Sequence, residues 1–236
     1  MRLFNYDSPL MQALGKVADL MWLNVLTLIC CIPVITAGAS LTAMNYMALK
    51  IVRNEECYIT RGFFKSFKEN FKQATVIWLL LLVMIVVLIG DFYVMSFVEF
   101  KFGNVMRVAI TVVAVMVAFE ALYVFPVLAK FENTIWRTIK NSLLLSIMQF
   151  PKTVLMGIIY LLPLGLLLVA YQVIPLVFLF GLSVPAWVSA KLYNKIFQRL
   201  EDQIIAASGE VEVDNGDEHI FSDALEESLT DNSKSS

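Results

Sequence analysis

Charge is scarce in this chain of 236 residues, of which only 16% are Asp, Glu, Lys or Arg, against roughly 25% in an average soluble domain. Histidine occurs once, at His219, and cysteine three times, as Cys30, Cys31 and Cys57. With its one histidine beyond residue 200, the body of the chain has no Ser/His/Asp, Cys/His or His-rich metal constellation to build. The thiols form no CxxC pair, and the adjacent two fall inside an apolar run, so neither a disulfide framework nor a thiolate metal cage is expected. The GxxxxGK[ST] pattern of a phosphate-cradling loop is missing too, so any ATP hydrolysis must come from a partner. No catalytic residue, cofactor, metal or nucleic-acid partner is expected.

Long charge-free runs take the place of those features. Residues 153 to 190 form 38 consecutive positions without Asp, Glu, Lys or Arg, whereas one membrane span uses about 20 apolar residues. The run fits two crossings that turn near Tyr171, Gln172 and Pro175. Both are expected to be helical, because an unpaired backbone amide in hydrocarbon costs several kcal/mol. A second run, Leu20 to Leu49, holds 30 charge-free residues, about 45 Å if helical throughout, which exceeds one span and falls short of two. Pro33, Thr36, Gly38, Ser40 and Thr42 mark a tight hairpin within it, with a short return arm from about Leu41 to Arg53. Gly38, Ala39, Thr42 and Ala43 are small enough for close backbone approach.

Ser8 and Pro9 start the first helix, with proline at the first helical position where its missing N–H costs nothing. Asp7 and Asp19 beside this start argue against a cleavable signal sequence. Further spans are expected at Ala74 to Gly90, Val105 to Ala129, Val154 to Ala170 and Ile174 to Ile196. The expected fold is therefore all-α: a polytopic transmembrane bundle of six crossings over residues 1 to 200. If the Leu41 to Arg53 arm lies on the surface, the count falls to five.

The net charge of −2 conceals an asymmetry. Residues 201 to 236 hold eleven of the twenty acids, whereas residues 1 to 200 carry 17 bases against nine acids. Six of those bases lie between Lys50 and Lys72, four between Lys130 and Lys152, and three between Lys191 and Arg199. Loops rich in Lys and Arg stay cytoplasmic, which places both termini inside the cell membrane when the crossings are even in number. From Glu201 the chain is too acidic and too poor in aromatics to fold alone, so a disordered cytoplasmic tail is expected. Ile220 to Leu229 could form a brief amphipathic helix within it.

Two connectors between spans are basic and amphipathic. In Arg61 to Lys72, Phe64, Phe67 and Phe71 share a stripe beside Arg61, Lys65, Lys68 and Lys72. In Ile135 to Phe150, Trp136, Ile139, Leu143, Ile147 and Phe150 line one side next to Arg137 and Lys140. Both are expected as separate helices flat on the anionic inner leaflet, where each cation contributes about 1 kcal/mol, or as docking helices for a cytoplasmic partner. Glu120, near the middle of a span, is the candidate intramembrane polar site, with Asn24 and Tyr123 as possible neighbours. It is either a proton or cation site or a hydrogen-bonded carboxyl that ties helices together. Asp19 and Lys16, three positions apart, suggest a simple helical ion pair.

Phe4, Asp7-Ser8-Pro9, Leu14-Gly15, the Pro33 to Ala43 stretch, Glu55-Glu56 and the Phe63 to Phe71 stretch together resemble the YesL-like family of bacterial integral membrane proteins, a domain of unknown function. The resemblance runs to about Leu200 and excludes the acidic tail. It implies a non-enzymatic accessory role beside the permease subunits of a carbohydrate ABC importer and supplies no catalytic residue. The alternative drawn from the residues themselves is a small secondary transporter or ion-coupled carrier that uses Glu120.

Overall fold

The computed structural model describes residues 9–55, 58–97, 103–131, 133–169 and 171–204, and all the regular elements among them are helical. In chain order they are α1 (Pro9–Cys31), a 3-10 turn (Val34–Thr36), α2 (Ala37–Val52), α3 (Ile59–Phe97), α4 (Gly103–Lys130), α5 (Ile135–Met148), α6 (Phe150–Val169), a second 3-10 turn (Tyr171–Val173) and α7 (Ile174–Phe180). A last helix, α8, runs from Ser183 to Ile204. Four of these, α1, α3, α4 and α6, are long and apolar enough to cross a membrane. The pair α7 and α8, bent by 47°, makes a fifth if it counts as one broken span. The protein is thus a membrane-type helical protein with four or five candidate spans among the described residues.

The α1–α2 hairpin forms where Pro33 breaks the run. Thr36 Oγ1 lies 2.7 Å from Cys30 O, a carbonyl that the end of α1 leaves open, and 2.8 Å from Pro33 O. At 16 residues, α2 is about 24 Å long, and it does not lie on the molecular surface. Twelve of its residues are buried, from Ala37 to Ile51, because it packs among α1, α3 and α4.

Helix α3 departs from the expected pattern. A separate connector over Arg61 to Lys72 followed by a span over Ala74 to Gly90 is replaced by one continuous helix of 39 residues. Nothing between Lys72 and Thr75 interrupts it: there is no proline or glycine there, and Gln73 and Ala74 are good helix formers. Its buried face begins with Ile59, Phe63 and Ser66 and resumes with Ala74, Ile77 and Leu81. Residues 135–148 form a separate helix, α5, whose C-cap is Gln149, before α6 starts at Phe150.

One core cluster holds Ala39, Ala74, Ile77, Leu81, Val117, Val124, Phe125 and Leu128, joining α2, α3 and α4. Beyond it the helices present apolar side chains outward, among them Val83, Val86 and Ile89 on α3 and Leu161, Leu164 and Leu168 on α6. That pattern matches a hydrocarbon surround and would be a liability in water. The chain divides into two compact units, residues 1–192 and 193–236. In the second, the rings of Tyr193 and Phe197 lie 4.7 Å apart. The expected acidic tail, with its Ile220 to Leu229 segment, lies outside the described residues except for Glu201 to Ile204.

Candidate functional site

Glu120 occupies the buried stripe of α4 that also carries Val117, Tyr123, Val124 and Val127, and its relative exposure is 9%. The spacing of three and four residues explains why a carboxyl in the middle of an apolar helix ends up facing inward. Among the described residues its side chain has no hydrogen bond or ion pair. Tyr123, one turn on, is also buried, and its hydroxyl lies 3.4 Å from Thr153 Oγ1. Thr153 Oγ1 is in turn 2.8 Å from Ser146 O and 3.0 Å from Gln149 O. This group closes the α5–α6 turn.

Asn24 has a different task from the one expected. Fully buried on α1, it donates from Nδ2 to Phe178 O at 2.7 Å and accepts at Oδ1 from Leu182 N at 2.8 Å and Ser183 N at 2.9 Å. These are the backbone groups set free at the bend between α7 and α8. The bend follows from Pro185, which has no N–H to offer the Gly181 carbonyl one turn back. One amide side chain therefore repairs a broken helix from 154 residues away in the sequence. No described hydrogen bond joins Asn24 to Glu120 or Tyr123, so the three do not form one hydrogen-bonded site.

The hairpin residues do come together. Ser40 Oγ donates to Thr27 O across the α1–α2 contact at 3.0 Å, and Thr42 Oγ1 donates to Gly38 O at 2.8 Å. Gly38 serves the α2–α3 contact: a Cβ there would lie 2.5 Å from both Ala74 O and Trp78 Cβ. At the tip, Trp78 Nε1 donates to Val34 O at 2.7 Å, while Ile32, Val34 and Ile35 remain exposed.

The basic residues are at the surface. Arg61, Lys65, Lys68, Lys72, Arg137 and Lys140 are all exposed, and of these only Lys65 has a described ion-pair partner, Glu69, at 3.9 Å. Of the phenylalanine stripe, Phe64 and Phe71 are exposed and Phe67 is half-buried, while Phe63 beside it is fully buried. Helix α5 turns its small hydroxyl face, Thr138, Ser142 and Ser146, inward, and it packs against α4. Trp136, Leu144, Ile147 and Met148 point outward, with Trp136 74% exposed. Lys16 does not pair with Asp19; its Nζ donates to Asn54 Oδ1 at 2.6 Å. Cys30 and Cys31 carry free thiols. Among the described residues no three His, Cys, Asp or Glu side chains gather as metal ligands.

Comparison with known proteins returns no match among curated proteins and none among solved structures. One family does match, that of a protein of unknown function, DUF624, over residues 20–92. The matched segment takes in α1 from Leu20, the whole of α2 and α3 as far as Phe92. Over the hairpin and the long helix that closes on it, the chain is similar to a family whose function is unknown.

Proposed function

We propose that this protein is a non-enzymatic accessory subunit of the cell membrane, belonging with YesL-like proteins and working beside the permeases of a carbohydrate ABC importer. The observation that carries a docking role is the inverted packing of α5. Its hydroxyl face is used up against α4, which leaves Trp136, Ile147 and Met148 outward beside Arg137 and Lys140. An aromatic anchor among apolar side chains, flanked by arginine and lysine, suits either a partner helix or an anionic headgroup layer. The charge-reversed pair Lys65→Glu and Lys68→Glu, and separately Trp136→Ala with Lys140→Glu, should reduce recovery of the importer permeases in mild-detergent isolation followed by mass spectrometry. Undiminished recovery with both variants removes the docking role.

The same reading places the basic segments inside. The hairpin of α1 and α2 then enters the membrane without crossing it, which reduces the six crossings expected from sequence to four: α3, α4, α6 and the bent α7–α8 pair. Support comes from depth. Met47 lies beside Gly62 and Gly38 beside Ala74 and Trp78, so α2 runs alongside the part of α3 that displays Arg61, Lys65, Lys68 and Lys72. A full crossing by α2 would carry those charges through hydrocarbon at about 3 kcal/mol each. Past Trp78, α3 continues for 19 residues, about 28 Å, close to a whole hydrocarbon thickness. A cysteine placed at Ile35 should stay unlabelled by an impermeant maleimide outside intact cells; labelling there restores a crossing hairpin.

A second reading is favoured by one feature, the partnerless inward carboxyl of Glu120. An ion-coupled carrier would use it as the site loaded and discharged during transport. Proteoliposomes with this protein alone should then move solute, and Glu120→Gln should abolish the flux; absence of flux in the unsubstituted protein ends the idea.

A further inference from the structure

A cavity of about 940 Å³ opens between α1 and the start of α3, with Asp19, Trp22, Tyr58, Thr60, Arg61 and Phe64 in its walls. A second, of about 890 Å³, adjoins it and shares Asp19, Tyr58 and Ile59. The charged groups around the two differ in how they are engaged. Lys16 is held by Asn54 at 2.6 Å, and Glu55 lies 3.6 Å from Lys50. Asp19 and Arg61 have no hydrogen bond or ion pair with any described residue, although both line the first cavity. They do not close on each other, so the space between an acceptor carboxylate and a donor guanidinium stays open. The indole of Trp22 is fixed at the wall by its Nε1, which donates to Thr60 Oγ1 at 2.8 Å.

We propose that this cavity binds a small zwitterion carrying an amine at one end and a phosphate ester at the other, the phosphoethanolamine unit, either free or as a lipid headgroup. Each end has its counterpart. Asp19 takes the ammonium, and the rings of Trp22, Tyr58 and Phe64, which line the same space, attract the same positive charge through their π faces. Arg61 presents the planar fork that matches phosphate oxygens two at a time. Ile59 and Thr60, at the positive end of the long α3 dipole, also line the cavity. A neutral ligand would leave both charges unanswered, and a simple anion or cation would answer only one. This site is independent of any importer partner.

The test uses the purified full chain in detergent micelles, with tryptophan fluorescence and thermal shift as readouts. Phosphoethanolamine and a short-chain phosphatidylethanolamine are the probes, and short-chain phosphatidylglycerol and maltose the controls. Saturable binding of an ethanolamine probe is expected, with Asp19→Asn and Arg61→Gln each weakening it at least tenfold while the unliganded melting temperature stays within about 2 °C. Equal binding of both ethanolamine probes identifies the free compound as sufficient, and binding of the lipid alone identifies the headgroup; either supports the site. Tighter binding of phosphatidylglycerol or maltose, silence toward both ethanolamine probes, or variants that bind like the unsubstituted protein overturn it.

Discussion

The hairpin side of the molecule and its outlying helical arms are built from equally apolar residues, yet they are held by opposite means. Around α2 the contacts are specific: Gly38 against the backbone of Ala74, Ser40 on Thr27, Trp78 on Val34, and Asn24 on the α7–α8 bend. Along the outer turns of α3, and along α6, side chains such as Val86, Ile89, Leu161 and Leu168 touch little of the protein. In hydrocarbon, apolarity does not drive helices together, because lipid tails are as apolar as leucine. What distinguishes the two regions is the supply of small residues and of polar side chains aimed at carbonyls and amides.

Substitutions that remove those devices should therefore cost far more than substitutions of larger apolar groups on the arms. The largest effect is expected at Gly38→Val, where the new side chain meets backbone that cannot yield; overpacking of this kind costs about 3 kcal/mol. Denaturation in mixed micelles measures it, and a loss under 1 kcal/mol would mean that α2 and α3 separate easily. Asn24→Leu comes next, since it strands a carbonyl and two amides at the bend, at a cost of about 2 kcal/mol. Its signature is faster hydrogen exchange at Leu182 and Ser183, and unchanged exchange there would show that the bend does not depend on α1. Thr36→Val removes only the bridge to Cys30 and Pro33 and should cost about 1 kcal/mol in the same unfolding assay. Val86→Ala on the lipid-facing side should change stability by about 0.5 kcal/mol or less. A Val86→Ala effect as large as that of Gly38→Val would erase the distinction and reveal a protein contact on the arm.

Much of this was legible locally. The Pro33 break, the Thr36 turn and the end of α4 follow from breakers and apolar runs that a few neighbouring residues define. Continuity of α3 was harder to read, because charge changes sharply near Lys72 while helix propensity does not. For α5 the outward apolar face was legible, and the hydroxyl face that packs inward was not. Periodicity located the apolar stripe of Trp136 and Ile147 correctly, but which stripe packs inward depends on the solvent, and beside lipid the hydroxyl face is the one that fits against α4. The pairing of Asn24 with Phe178 had no local signal at all. The expected span from Ile174 to Ile196 carried no break at Gly181 and Pro185, where the structure bends by 47°, and nothing nearby in the chain named the residue that mends it. Glu120 was identifiable as an oddity, whereas its separation from the Asn24 hydrogen bonds required the fold.

The bond from Trp78 to Val34, with Gly38 seated against Ala74, also bears on the order of assembly. A ribosome that has delivered both arms of the hairpin has not yet delivered the wall they lean on. The emerging tip cannot receive its bond from Trp78 until another stretch of translation has delivered α3. A chain built this way completes the packing of its first two helices only when the third arrives.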